Sequence, residues 1–142
     1  MLLKVADGSP VELGERLERA AGVWNAIGAR VVIVPSDSLE TPRVVRLVPA
    51  ELWIHGDHSG NADPFNGIEI DALTWQEASA YNPRADAFLM DLVLHEVGHM
   101  VGCNHVPDIG SVMNASVFYN TALSRLDVQE FEAAQRGYHL GD

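Results

Sequence analysis

The chain has 142 residues, 47% hydrophobic and 20% charged, with a formal net charge of −11 and one cysteine, Cys103. That length suits one domain with a core large enough to stand without cross-links, and a lone cysteine excludes an intrachain disulfide. The acidic balance excludes the basic face that nucleic acid selects and the polybasic patch that anionic lipid attracts.

No apolar run approaches the ~20 residues that cross a bilayer. Residues Met1 to Gly8 turn polar too soon for a secretory signal, so a soluble chain with no leader in these residues is expected.

Residues 2 to 5 form a short apolar run, expected as an edge strand. Ser9-Pro10-Val11-Glu12 reads as a helix start, with serine as cap, proline at the first helical position and glutamate closing a capping box. Leu13, Leu17, Ala20, Ala21 and Trp24 recur at helical spacing and Gly28 is a natural stop, which predicts a helix over about 10 to 27. Arg30 to Val34 is rich in β-branched residues and reads as a strand. Val44 to Val48 and Glu51 to Ile54 read as strand material interrupted at Pro49.

Residues 55 to 67 have a loop composition, and Ile68 to Ala72 alternates as a half-exposed strand does. Asn82-Pro83 opens a second helix that Phe88, Leu89, Leu92, Val93, Val97, Met100 and Val101 line as far as about Gly102. Residues 103 to 124 read as irregular. Asp127 with Glu130 suggests a capped start for a last helix carrying Phe131, Ala134 and Tyr138. Strands with one early helix, followed by helices, make an α+β order.

The chemistry concentrates in His95-Glu96-Val97-Gly98-His99, inside the second helix. Histidines four apart share a helix face, about 6 Å apart along the axis, and their rings can converge on one ion at about 2.0–2.1 Å. Glu96 points about 100° away, unsuited to ligate that ion but able to flank a water beside it. A carboxylate there can take the proton of the water and pass it to a leaving amine. His105 follows six residues after His99. On a continued helix it would stand about 15 Å from His95 along the axis. It reaches the ion only if the chain reverses, and Gly102 is placed to allow that. Three nitrogens leave a fourth position open, as a catalytic zinc requires. Cys103 reads as a small buried residue rather than a fourth ligand.

The run His95-Glu96-Val97-Gly98-His99-Met100-Val101-Gly102-Cys103-Asn104-His105, with Met113 beyond it, resembles the metzincins, and within them most closely a minimal matrixin-type catalytic domain. Asp108 and the distance to Met113 match matrixins as well. The resemblance implies an α+β fold with a twisted, mostly parallel sheet and an antiparallel edge strand. It further implies an active-site helix, a Met-turn at Met113 beneath the metal, and a C-terminal helix. One catalytic domain over 1–142 is implied, with an upper part to about 102 and a small lower part from about 103.

The implied activity is a zinc-dependent endopeptidase with His95, His99 and His105 on the metal and Glu96 as general base and acid. A polypeptide substrate would lie along an edge strand, for which Ile68 to Ala72, with Ile70, is the candidate. Pocket residues would come from 115 to 119, including Phe118 and Tyr119. A monomer is expected, secreted if a leader has been removed.

His55-Gly56-Asp57 and Asp63-Pro64-Phe65-Asn66-Gly67 resemble the matrixin loop that carries a structural zinc. Two further histidines of that site are missing. His58 could substitute, but one zinc is expected, and a second structural zinc or calcium is not.

Three features depart from the matrixin pattern. Val106 stands where serine or threonine is usual, no proline follows Met113, and no tyrosine lies two residues beyond it. The alternatives that stay open are a zinc-binding module without proteolysis, a non-peptidase metal hydrolase and a structural zinc site.

Overall fold

The first long helix forms where the apolar spacing puts it. In the computed structural model, which describes residues 1–141, α1 runs Val11–Asn25 after strand β1 (Leu2–Val5). Its buried face is Leu13, Leu17, Ala20, Ala21 and Trp24. The start differs from the expected capping box. Pro10 is the N-cap, with no side-chain cap, and the Ser9 hydroxyl donates instead to the Ala6 carbonyl at 2.7 Å. The helix also ends earlier than 27, because the Asn25 amide exchanges two hydrogen bonds of 2.8 Å with the Val31 backbone and ties the helix end to the next strand.

The remaining elements are β2 (Val32–Val34), β3 (Val44–Val48), a short 3-10 turn (Ala50–Leu52), β4 (Gly60–Asp63), β5 (Gly67–Asp71), α2 (Ala72–Tyr81), α3 (Ala85–Met100) and α4 (Arg125–Gln135). The five strands lie in the order β2-β1-β3-β5-β4, parallel except for β4, which runs antiparallel to β5. The chain therefore has the expected α+β fold, with a mostly parallel sheet and an antiparallel edge strand.

Several expectations are corrected. β1 is no edge strand, since it pairs with both β2 and β3. Glu51 to Ile54 is not a strand, because the chain turns through the 3-10 segment directly after Pro49. β4 lies inside the expected loop of 55 to 67. β5 is an interior strand flanked by β3 and β4, so the free edge beside it belongs to β4.

α2 starts at the end of β5 without a linker. Asp71, the last residue of the strand, also caps the helix by accepting from the Leu73 amide. Asn82 closes α2 and accepts from the Arg84 amide at 2.8 Å, so α3 begins at Ala85, after Pro83 rather than at it. The cap of α4 lies three residues before the expected Asp127. It is Ser124, and Asp127 is the reciprocal partner in the capping box.

α3 is buried on nearly every side from Leu89 to Gly98, which explains why its apolar pattern is broad. It packs against α1, α2 and β4. Trp24 of α1 donates its indole N–H to the Leu94 carbonyl at 3.0 Å and faces Phe131 of α4. Among the described residues no helix is long and apolar enough to cross a membrane.

Candidate metal centre

The C-terminal end of α3 carries His95 and His99 on one face. Directly beyond it, Gly102 takes φ of 103°, in the left-handed region that glycine enters without steric cost. The Cys103 amide donates to the Gly98 carbonyl at 2.9 Å and the Gly102 amide to the His99 carbonyl at 3.1 Å. This pair of bonds is a Schellman close, which satisfies the last helical carbonyls and turns the chain back. The reversal brings His105 to the two helical histidines.

The three Nε2 atoms lie 3.1, 3.1 and 3.3 Å apart. An ion held tetrahedrally at about 2.0–2.1 Å from each nitrogen requires a separation of about 3.3–3.4 Å. The donors therefore fit a small tetrahedral cation. The second ring nitrogens support the same assignment. His95 Nδ1 donates to the Val112 carbonyl at 2.6 Å and His99 Nδ1 to the Cys103 carbonyl at 2.8 Å. A carbonyl only accepts, so Nδ1 carries the proton and Nε2 keeps its lone pair.

Burial, with the neighbouring histidine charges adding to it, pushes His95 down to about 3. Burial is also the main cause that lowers His99 and His105. Neutral imidazoles are what a metal needs. Among the described residues, these three form the one group of histidine, cysteine or acidic side chains close enough to share an ion.

Glu96 is buried beside them, and burial pushes its carboxyl up to about 8. β4 crosses directly over it. A Cβ on Gly60 would stand 2.7 Å from Glu96 Oε2, so any larger residue would push that carboxyl aside. Both residues line a cavity of 770 Å³ that also exposes the three histidines. One wall is β4. Ala115, Ser116 and Val117 form another part of the wall, along with Phe88 and Leu92.

Three sequence-selected contact residues sit elsewhere. Ile70 is fully buried on the interior strand β5 and cannot meet a ligand. Phe118 and Tyr119 lie past the wall. The Phe118 amide is held by Asp91, and the Tyr119 ring stacks under the Arg84 guanidinium at 4.1 Å and faces Phe88.

Met113 is fully buried beneath α3 at Gly98, where any Cβ would overlap its Sδ. Its carbonyl accepts from the Val106 amide at 2.9 Å, which ties it to the residue after His105. Asp127 on α4 accepts from the Val112 and Met113 amides at 2.9 and 3.0 Å and from the Ser124 amide at 2.8 Å. The Asp108 carboxylate accepts from the Gly110 amide and the Ser111 hydroxyl within its own turn.

In the loop that resembled a second metal site, His55 bonds Glu69 at 2.9 Å, and Asp63 accepts from the Phe65 and Asn66 amides. His58 lines the main cavity instead. Sequence reasoning missed Gly60, Asp91 and the structural use of Asp127 and Glu130. An acidic residue on a helix carries no local sign that it is buried and holds the amides of a distant loop.

No protein-family model matches the chain and no curated protein sequence is significantly similar to it. Among solved structures, the crystal structure of archaemetzincin from Methanopyrus kandleri matches with a TM-score of 0.67 and 16% identity, over 95% of this chain and 94% of that one. At that identity the likeness is one of fold. The chain has a metzincin-like fold with a three-histidine cluster at the end of its third helix.

Proposed function

We propose that this protein is a zinc-dependent endopeptidase of the metzincin type. One zinc is held by His95, His99 and His105, and Glu96 acts as general base and then acid. The observation that carries this reading is the meeting of three Nε2 atoms at 3.1–3.3 Å next to a buried carboxylate, in a cavity bounded by a free sheet edge.

Zinc held there by His95, His99 and His105 would supply Lewis acidity toward a scissile carbonyl and would lower the pKa of water to about 7. Glu96 takes the proton of the attacking water and delivers it to the leaving amine. The outer edge of β4 offers backbone donors and acceptors to an extended peptide lying antiparallel to it. Ala115 to Val117, which line the same cavity, shape the pocket for the side chain next to the cleaved bond. Met113, beneath Gly98, serves as a Met-turn that supports the floor of the site. The spacing of His105, Asp108 and Met113 favours a matrixin-type arrangement within the metzincins, while the solved structure of similar fold is an archaemetzincin.

The test is cleavage of a quenched-peptide library by zinc-loaded protein, with zinc content measured on the same sample. Glu96→Gln is expected to keep one zinc per chain and lose at least 100-fold in kcat/KM, in the range reported for general acid–base groups. Cleavage that survives in Glu96→Gln would refute the assigned role. Zinc bound by wild type with no cleavage of any peptide would favour a binding module instead.

A further inference from the structure

α4 packs against the loop that leads to His105, and its buried face carries a carboxylate where a helix normally offers an apolar side chain. Glu130 is fully buried, and both of its oxygens accept hydrogen bonds. Oε2 accepts from the Asn104 amide at 2.7 Å and from His139 Nδ1 at 2.6 Å, and Oε1 accepts from the Leu140 amide at 2.9 Å. One side chain thus joins α4, the loop that follows the Gly102 turn, and the tail beyond α4.

The loop is the part that matters for the metal. Asn104 is the residue between Cys103, whose carbonyl fixes the His99 ring, and His105. The tail is close to the same place, since a Cβ on Gly141 would lie 3.8 Å from the His105 carbonyl. The Schellman close sets where the chain turns, and the Val106 bond to Met113 sets where it leaves. Between them the Asn104 amide has Glu130 as its acceptor. A buried carboxylate is expensive unless every lone pair is used, and an apolar residue of similar size would serve stability as well. What an apolar residue could not do is hold the Asn104 amide and the Leu140 amide at once.

We propose that Glu130 is a positioning residue for the third histidine. With His139 and Leu140 it clamps residues 103–105 in the register that brings His105 Nε2 to the other two nitrogens, so that metal affinity depends on a side chain that never approaches the ion. The inference rests on the metal-binding half of the proposed function and is independent of peptide cleavage.

The test is a double-mutant cycle read by zinc affinity, measured by competition with a chromophoric chelator at fixed pH, on wild type, Glu130→Gln, His105→Ala and the double variant. Glutamine keeps the shape but turns a donor toward one of the two amides. In the intact site Glu130→Gln is expected to weaken zinc 10–100-fold, the range seen for groups that orient ligands. In the His105→Ala background it should change affinity less than twofold, because the histidine it positions is gone.

A purely structural glutamate would lower affinity by the same factor in both backgrounds, or in neither, and either result overturns the proposal. Should Glu130→Gln not fold, removal of residues 139–142 tests the clamp from its other side, with several-fold weaker zinc expected and unchanged affinity counting against it. Failure of wild type to bind zinc at all would sink the metal site itself, a result distinct from equal losses in both backgrounds.

Discussion

The two halves of the molecule are held together by different means. From β1 to the end of α3, backbone groups pair with one another in helices and strands, and apolar side chains such as Leu13, Leu17 and Ile68 fill the space between. From Cys103 to Leu123 there is neither helix nor strand, and several amides of the segment are taken up by carboxylates on the helices. Asp127 holds Val112, Met113 and Ser124, Asp91 holds Phe118 and Asn120, and Glu130 holds Asn104 and Leu140. These three carboxylates are all buried. An irregular segment can be as fixed as a helix if its donors are satisfied, but the acceptors then have to come from distant side chains.

The comparison predicts that the two halves respond differently to truncation. The largest loss is expected for Asp127→Ala, which strands two buried amides. About 3–5 kcal/mol of stability should go in urea unfolding, with weaker zinc binding alongside. Leu17→Ala, in the helical half, should cost about 2–4 kcal/mol by leaving a cavity while the folded variant binds zinc as wild type does. Equal effects of the two on zinc affinity would erase the distinction between the halves.

Asp91 gives a smaller and pH-dependent effect. Burial, with the charge of Asp127 adding to it, raises its carboxyl to about 6, against the opposing pull of the Asn120 and Phe118 amides. Its Oδ1 has no hydrogen-bond partner. The folded state therefore binds the proton more tightly than the unfolded chain between pH 4 and 6. Stability from this group is highest below about 4 and falls as pH rises through about 6. The difference in unfolding free energy between wild type and Asp91→Asn should decline across that window by on the order of 2 kcal/mol. A flat difference would mean that Asp91 is not held in the way described.

The smallest change in stability is expected for Gly60→Ala, within about 1 kcal/mol of wild type, because its backbone is ordinary strand and alanine restricts the unfolded chain. Its effect should fall on Glu96. Lower kcat with unchanged zinc content is the expected outcome, and unaltered kcat would show that the carboxylate tolerates the added methyl.

What could be read from the residues follows the same division. The face of α1 was legible because Leu13 to Trp24 repeat at a period that burial enforces. The three histidines were legible because they lie within residues 95 to 105, and one glycine accounts for the reversal. Pairing was not, since it depends on partners far along the chain. Ile68 and Ile70 are buried and Glu69 and Asp71 half-buried, as the alternation of that stretch suggests, but nothing in it shows that β4 pairs along its second edge.

Gly60-Asn61-Ala62-Asp63 carries no strand propensity and becomes one only by lying against β5. The resemblance put the pocket at 115 to 119, and Ala115, Ser116 and Val117 of that stretch line the cavity while Phe118 and Tyr119 do not. The early capping box failed because Ser9 found an acceptor behind it. The later one was misplaced because Asp127 is the partner of a cap and not the cap.

The brevity of β4 has one more consequence. An unpaired edge that can take up a peptide can also recruit another sheet and lead to aggregation. Four residues, two of them Asn61 and Asp63 and none β-branched, make a poor template for such growth. The absence of strand-forming residues that hides this edge in the primary structure also guards it in the folded protein.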